Sequence, residues 1–297
     1  MQLSTIFQST RPSFLILTPI CVFLGLSTAL SVGATVNYTI FSLILIGAIA
    51  AHISVNTLNE YFDFTSGLDL KTEKTPFSGG SGALPANPEM ANAVLATGLI
   101  SLLVTAVIGI YLMTQQSAQI LPIGIVGMII IYTYTNWINR IPFLCLIAPG
   151  IGFGLLMVVG THIVLTKEYS LLPWLAALVP FFLVNNLLLL NQYPDIEADK
   201  SVGRNHLPIA YGTTSSTVAY ALFMLGAYLM IAISVVMGYF PLLSLIALIP
   251  MGLAIFSLMG AKKYSADIGQ FPQYLGTNVA ATLATPLLLG ISLLYGF

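Results

Sequence analysis

Two clusters of acidic and amide residues lie far apart in a sequence that otherwise has few charges. The first is within NEYFDFTSGLD and the second within NQYPDIEADK; their oxygen-bearing residues are Asn59, Asp63 and Asp69 in the first and Asn191, Asp195 and Asp199 in the second. Carboxylate and amide oxygens are ligands that Mg²⁺ accepts, usually together with substrate phosphates and water. All six residues are therefore predicted metal ligands, with Asp63, Asp195 and Asp199 as the catalytic carboxylates.

Basic side chains lie in the same stretches of the chain. Lys and Arg form charge-assisted hydrogen bonds with phosphate oxygens, so they would neutralise the charge that a metal leaves on a diphosphate. The predicted diphosphate-binding cations are Lys71, Lys74, Arg140, Lys200 and Arg204. Together, the two kinds of residue predict a site for Mg²⁺ and a lipid diphosphate.

The composition indicates an integral membrane protein. Of 297 residues, 57% are hydrophobic and only 6% are charged, whereas soluble domains carry about 25% charged residues. The net charge of −1 gives no indication of nucleic-acid binding. Cys21 and Cys145 lie in apolar runs without metal-ligand spacing, so a packing role is expected for both.

Nine apolar segments are long enough to cross a bilayer as helices, which takes about 20 residues. They cover residues 14–33, 40–62, 91–113, 119–138, 142–165, 171–192, 214–237, 241–260 and 274–295. Their apolar runs are continuous, whereas the strands of a membrane barrel would alternate. The sequence therefore predicts an all-α, polytopic membrane protein, and its first apolar segment is expected to be a retained helix because no A-x-A-like cleavage site follows.

The distribution of Lys and Arg predicts the orientation of these helices. With a cytoplasmic N-terminus, eight basic residues fall inside and only Lys167 falls outside. The chain would then lie in the inner (cytoplasmic) membrane of the cell, with its C-terminus outside and both acidic clusters facing the cytoplasm.

Helical spacing places the first cluster on one face of the second apolar segment. The polar residues at positions i, i+4, i+7 and i+11 are His52, Asn56, Asn59 and Asp63, and polar side chains in a membrane helix normally face the bundle interior. Gly67 permits a turn that brings Asp69 back towards Asp63. In the second cluster, Pro194 predicts a kink or an early helix end.

The two clusters resemble the paired aspartate-rich motifs of the UbiA superfamily of intramembrane prenyltransferases. NEYFDFTSGLD is similar to the first motif and NQYPDIEADKSVGRNHLPI to the second, and RPSFLILTP and LGTNVAATLATPLLLG are also similar. The resemblance therefore covers nearly the whole chain. It implies one domain, residues 1–297, with nine transmembrane helices around a central cavity, and Mg²⁺-dependent transfer of a prenyl group from a polyprenyl diphosphate to a small aromatic acceptor.

Carried over position by position, the resemblance assigns the six Asn and Asp residues to metal and diphosphate, and Lys200 and Arg204 to the basic positions after the second motif. Asp63 and Asp69 are six positions apart, where many members have four. This longer form is most similar to the dihydroxynaphthoate branch, which implies 1,4-dihydroxy-2-naphthoate or a related quinone precursor as acceptor. Between the fourth and fifth apolar segments, where acceptor contacts are expected, the chain has Tyr132, Tyr134 and Arg140 but no acidic residue.

The implied reaction is an electrophilic alkylation through an allylic cation, which aromatic faces stabilise. The candidate aromatic residues are Tyr61, Phe62, Tyr132, Tyr134 and Tyr193. His52 and His206 are candidate proton acceptors, although ordinary polar contacts explain both residues. The glycines of PGIGFGLLMVVG either make room for the prenyl tail or allow close helix packing. TPFSGGSGALP is either a loop that closes over the site or a plain linker.

Two other classes of protein remain as alternatives. A secondary transporter would place its ionisable residues near the middle of the membrane, whereas these lie at predicted helix ends. A phospholipid-headgroup transferase would carry a D-G-x-x-A-R run, which the sequence lacks.

Overall fold

The computed structural model describes residues 2–72, 74–75 and 77–296, and these are helical without any strand, which confirms the predicted all-α class. The α-helices are α1 (Gln2–Ser9), α2 (Leu17–Ser31), α3 (Tyr38–Thr65), α4 (Ala83–Ala86), α5 (Ala91–Gln115), α6 (Leu121–Thr133), α7 (Pro142–Gly150), α8 (Met157–Thr166), α9 (Leu171–Asn191), α10 (Ile196–Ser201), α11 (Leu207–Val236), α12 (Met251–Tyr264) and α13 (Pro272–Tyr295). A π-helical segment, Ile151–Leu156, joins α7 to α8.

In the described part of the chain, seven helical segments are long and apolar enough to cross a bilayer. They are Tyr38–Thr65, Pro88–Gln115, Pro142–Thr166, Leu171–Asn191, Leu207–Val236, Leu242–Gln270 and Pro272–Tyr295. The two other predicted spans correspond to Leu17–Ser31 and Ala118–Thr133, which are apolar but shorter. The protein is thus a multi-pass membrane protein, and the count of nine spans stays a prediction.

Two helix interruptions shape the side of the bundle that carries the acidic clusters. Helix α9 ends at Asn191 and α10 begins at Ile196, which confirms the early helix end predicted at Pro194. Helix α11 is broken at Gly212, whose φ of 78° and ψ of 166° lie outside the helical region. Glycine reaches a positive φ without the steric cost that a Cβ imposes.

Close helix packing explains part of the glycine-rich stretch. A Cβ on Gly154 would lie 2.5 Å from the backbone nitrogen of Phe181 in α9, so the two helices touch through their backbones here. Gly152 has no atom within 4 Å of its Cβ position, and both Gly152 and Gly160 line the internal cavity described below. Close packing therefore explains Gly154, whereas a role of Gly152 and Gly160 in making room for a prenyl tail stays a prediction.

Several polar side chains inside the bundle form hydrogen bonds between helices. His162 Nδ1 lies 3.0 Å from Thr28 Oγ1, and His162 Nε2 lies 3.2 Å from Ser170 Oγ. Ser54 Oγ donates to the carbonyl oxygen of Gly98 at 2.8 Å. Because helices in a bilayer associate through packing and interhelical hydrogen bonds, these pairs help to hold the walls of the cavity.

Candidate active site

A cavity of about 1060 Å³ runs along the inside of the bundle. All six predicted metal ligands line it: Asn59, Asp63, Asp69, Asn191, Asp195 and Asp199. Its wall also includes Ile44, which precedes Asp63 by 19 residues on α3. At 1.5 Å per residue, the cavity extends about 28 Å along this helix, from a polar end into apolar surroundings.

The polar face of α3 is held in place by contacts to the segments beside it. His52 Nδ1 lies 2.8 Å from Thr18 Oγ1, Asn56 Nδ2 donates to the carbonyl oxygen of Thr10 at 2.9 Å, and Asn59 Nδ2 donates to Thr135 Oγ1 at 3.1 Å. All three side chains line the cavity. The stripe predicted from helical spacing therefore faces the bundle interior.

Arg204 joins the two acidic clusters. Its guanidinium donates to Asp199 Oδ1 at 2.8 Å and also to Asp63 Oδ1. The side chains of Asp63 and Asp199 are 8% and 3% exposed, so both charges are nearly removed from water. Burial lowers the pKa of Arg204, but Asp63 and Asp199 outweigh burial and raise it further above the usual range.

Asp199 has a second partner. Its other carboxylate oxygen, Oδ2, lies 2.9 Å from His206 Nε2. Asp199 sits in the short helix α10, and Gly203, with a φ of 81°, lets the chain turn so that Arg204 and His206 both return to it. Residues 199–206 therefore form a turn at the cavity wall in which Asp199 binds both basic side chains.

Asp69 and Asp195 lie in loops outside the membrane-spanning helices and are only partly buried. Burial is the main reason that the pKa of each rises to about 7; Asp63 and Glu60 raise it further for Asp69, and Asp199 does so for Asp195. Gly67 adopts a φ of 77° after α3, as the predicted turn requires, and Asp69 returns to the cavity beside Asp63. These two carboxyls exchange protons near neutral pH and are suited to a cation that arrives with substrate.

The loop from Gly79 to Ser81 lies over this polar end. The backbone of Gly79 hydrogen-bonds Asp195, and Gly80 approaches Asp69 so closely that a Cβ would lie 2.9 Å from Asp69 Oδ1. Ser81 donates from its backbone nitrogen to Glu60 Oε1 at 2.8 Å and from its hydroxyl to Glu60 Oε2 at 2.5 Å. Both clusters and this loop thus meet at one place.

A family model for "UbiA prenyltransferase family" matches residues 18–276. The chain belongs to the UbiA prenyltransferase family. It is 29% identical over 236 residues to 1,4-dihydroxy-2-naphthoate octaprenyltransferase of Bacillus subtilis (strain 168), covering 78% of this chain and 74% of that protein. As a family member with this relative, the protein is a prenyltransferase.

Solved UbiA structures share the fold. An apo UbiA homologue from Aeropyrum pernix K1 has a TM-score of 0.72 at 18% identity, over 94% of this chain and 96% of that one. A UbiA homologue from Archaeoglobus fulgidus bound to DMAPP and Mg²⁺ has a TM-score of 0.65 at 14% identity, over 99% and 100% of the two chains. At these identities the likeness establishes the UbiA fold and not the details of the site.

Only some of the predicted substrate-binding residues line the cavity of this UbiA protein. Lys74, Arg204 and Tyr134 do so. Four exposed residues do not line the cavity: Lys71, Arg140, Lys200 and Tyr132. In α10, Asp199 is buried at the cavity whereas Lys200 is exposed, because successive residues of a helix point about 100° apart.

Sequence reasoning missed Arg11 and Glu60 as site residues. Arg11 Nε donates to Glu60 Oε1 at 2.8 Å, and its terminal nitrogen donates to Asn59 Oδ1 at 3.0 Å. Glu60 is fully buried, and its carboxylate oxygens bind Arg11 and Ser81. Burial lowers the pKa of Arg11, but the carboxylates of Glu60, Asp63 and Asp69 together outweigh burial and raise the pKa overall. The signal in the sequence was the one cation ahead of the first apolar run, Arg11, in RPSFLILTP.

The donor set fits a hard cation only in part. Asp69 Oδ2 and Asn191 Oδ1 are buried at the cavity and have no hydrogen-bond partner among the described residues. Oxygen atoms of this kind suit Mg²⁺. However, no three Asp, Glu, His or Cys side chains of the described residues are grouped as a metal cluster, and Arg204 is the cation between Asp63 and Asp199.

Proposed function

We propose that this protein transfers a prenyl group from a polyprenyl diphosphate to an aromatic acceptor, with 1,4-dihydroxy-2-naphthoate or a related quinone precursor as the acceptor. The observation that carries the proposal is that both acidic clusters line one end of a single cavity whose remaining wall is largely apolar. A diphosphate with its metal needs the polar end, and a prenyl tail needs the apolar wall. The B. subtilis relative supports the choice of acceptor.

The residues at the polar end would bind the diphosphate through Mg²⁺. Asp63, Asp69, Asn191, Asp195 and Asp199 would hold Mg²⁺, with Asn59 at the edge of the set. When bound, Mg²⁺ would act as a Lewis acid that stabilises the diphosphate leaving group. The A. fulgidus structure with DMAPP and Mg²⁺ supports this use of a divalent metal.

The cations of the site complement the metal. Arg204 and Arg11 are held by carboxylates at fixed positions, so they bring preorganised positive charge to the oxygens that gain charge as the C1–O bond breaks. Lys74 reaches the cavity from the loop above it. The side chains thus neutralise the leaving group without having to reorganise water.

The apolar part of the cavity would protect the allylic cation. Phe153 and Tyr134 line it, and the Phe153 ring stands edge-on to His52 with 4.6 Å between ring centroids. Aromatic faces stabilise cations, and an apolar enclosure keeps water from intercepting the cation. Electrophilic attack on the acceptor ring would follow in the same enclosure.

Purified protein should release diphosphate from a polyprenyl diphosphate in the presence of Mg²⁺ and 1,4-dihydroxy-2-naphthoate and should form the prenylated product. Asp63→Ala and Asp195→Ala should each abolish turnover while the protein still elutes as a folded species. Near-normal rates in both variants at saturating Mg²⁺ would rule out the two-cluster site. Uptake of a cation by liposomes without product formation would instead favour a transporter.

The proposed orientation places the site at the cytoplasmic face of the inner membrane, with the N-terminus inside and the C-terminus outside. It rests on the eight-to-one distribution of basic residues. Cysteine labelling should reach residues 77–82 and 200–205 only after the membrane is permeabilised. Labelling of either segment from the external side of intact cells would reverse the orientation.

A further inference from the structure

Two buried polar atoms at the cavity wall are unlike the metal-ligand candidates, because they lie outside the six residues of the acidic clusters. They are Asn139 Oδ1 and His206 Nδ1, and neither has a hydrogen-bond partner among the described residues. Both side chains line the cavity, and they are only 4% and 1% exposed. A buried polar atom without a partner costs roughly 1–3 kcal/mol, so each such atom calls for a ligand or another explanation.

The chemistry of both atoms is fixed by their neighbours. The amide nitrogen of Asn139 faces the carbonyl oxygen of Thr135, which accepts hydrogen bonds only, so the unpartnered atom of this amide is its oxygen. His206 Nε2 lies 2.9 Å from a carboxylate oxygen of Asp199 and therefore carries the hydrogen. In the neutral ring, Nδ1 is then an acceptor.

The two acceptors belong to segments that are bound to each other. Asn139 lies in the 3₁₀ turn Ile138–Arg140 between α6 and α7, and His206 precedes α11. The backbone nitrogen of Asn205 donates to the carbonyl oxygen of Asn139 at 3.0 Å. This bond ties the turn to the residue that precedes His206, so the two side chains belong to neighbouring parts of the cavity wall.

We propose that Asn139 Oδ1 and His206 Nδ1 form the subsite that selects the aromatic acceptor, by accepting hydrogen bonds from its hydroxyl groups. This inference rests on the proposed function. A diphosphate does not suit the pair, because its oxygens are themselves acceptors. Mg²⁺ suits it poorly, because Mg²⁺ takes oxygen ligands rather than an imidazole nitrogen.

An aromatic ring that carries hydroxyl donors fits the remaining surface. Tyr134 and Cys145 also line this part of the cavity, and Gln192 Nε2 points at the sulfur of Cys145 at 3.3 Å. The wall therefore combines an aromatic face and a soft sulfur atom with two acceptors. Hydrogen bonds from the hydroxyl groups to these acceptors would also keep electron density in the ring that is alkylated.

The test of the subsite is the affinity for acceptor analogues, measured as inhibition constants. It compares the wild-type protein with the variants Asn139→Ala and His206→Gln. The probes are 1,4-dihydroxy-2-naphthoate and the two analogues that each lack one of its hydroxyl groups. In the wild type, loss of the bonded hydroxyl should weaken binding about tenfold or more, because a site built around a hydroxyl rejects the analogue without it. In the variants, the ratio of the inhibition constant of the analogue to that of 1,4-dihydroxy-2-naphthoate should fall towards one. In Asn139→Ala, which does not contact the acidic residues, the KM for the prenyl diphosphate should stay within about twofold.

His162→Gln is the matched control, because His162 is also a buried histidine but its two nitrogens already lie against Thr28 and Ser170. In this control, the ratio of the two inhibition constants should equal that of the wild type. His206→Gln also disturbs Asp199. If the two variants differ, the result for Asn139→Ala therefore decides whether the acceptor subsite exists. An unchanged ratio in Asn139→Ala, with wild-type prenyl transfer intact, would overturn the subsite alone. Absence of prenyl transfer in the wild type would instead remove the proposed function, and the subsite with it.

Discussion

Arg204 forms an ion pair with Asp63, although the two residues lie 141 positions apart in the sequence. The same guanidinium also binds Asp199, so the two acidic clusters share one cation at the cavity wall. Replacing one partner of a buried ion pair leaves an uncompensated charge and costs about 3–5 kcal/mol. Arg204 therefore contributes to the assembly of the site as well as to its charge.

Arg204→Gln should raise the KM for the prenyl diphosphate and lower kcat, each by about tenfold or more. Arg204→Lys should recover part of the loss, because Lys keeps the charge but not the forked contact with two oxygens. Steady-state kinetics with each substrate varied in turn measure both effects. The KM for the aromatic acceptor should move much less.

Arg140→Gln is the control for Arg204, since Arg140 is an exposed arginine close by that does not line the main cavity. It should leave both KM values near those of the wild type. If Arg204→Gln changed only the acceptor KM, Arg204 would have been assigned to the wrong substrate.

Stability and metal affinity should depend on pH through Asp69 and Asp195, whose pKa values are raised to about 7. In the unfolded chain an Asp has a pKa of about 3.9. Between about pH 4 and 7 the folded protein therefore binds more protons than the unfolded chain, and its stability without metal should fall as the pH rises. Mg²⁺ binds the deprotonated carboxylates, so its apparent affinity should increase over the same range.

Thermal unfolding in detergent, with and without Mg²⁺, measures both trends at a series of pH values. The double variant Asp69→Asn and Asp195→Asn should flatten the decline in metal-free stability and should no longer be stabilised by Mg²⁺. A stabilisation by Mg²⁺ that is the same at about pH 5 and pH 8 would contradict the assignment of these carboxyls.

Glu60 should hold the loop over the site. Glu60→Gln removes the charge that pairs with Arg11 and weakens the two hydrogen bonds from Ser81. We expect trypsin to cut after Lys74 several-fold faster and the KM for the prenyl diphosphate to rise, because the loop would open more often. Ser81→Ala should have a smaller effect in the same direction.

Ser78→Ala is the matched control in the same loop, because the Ser78 hydroxyl pairs with Thr75 and not with Glu60. Its cleavage rate should stay near that of the wild type. Equal cleavage in all three variants would show that Glu60 does not hold the loop.

Two glycines of one segment should respond differently to the same substitution. Gly154→Ala places a methyl group 2.5 Å from a backbone nitrogen of α9, which cannot move aside cheaply, so the melting temperature should fall by several degrees. Gly152→Ala meets no atom within 4 Å, so its melting temperature should stay unchanged. A similar loss in both variants would mean that close packing does not explain Gly154.

Patterns within one stretch of sequence determined the membrane class, the helical elements and the six Asn and Asp residues that the structure places along the polar end of the cavity. These follow from hydropathy, from helical spacing and from local geometry such as the ring of Pro194 and the turn at Gly67. Each depends on neighbours in the chain, so each can be read without knowing how the helices pack. The length of the apolar runs did not decide the number of spans, because Leu17–Ser31 and Ala118–Thr133 are shorter as helices than the segments predicted around them.

Tertiary structure decided which side chains meet. Tyr134 faces the cavity and Tyr132 does not, since residues two apart on a helix point to nearly opposite sides. Arg11 reaches Glu60 and Asn59, and Asn139 comes beside His206, only because segments that are distant in the sequence pack together. A one-dimensional pattern gives the type and the spacing of residues, whereas the direction of each side chain towards a distant partner is set by the packing of the whole bundle.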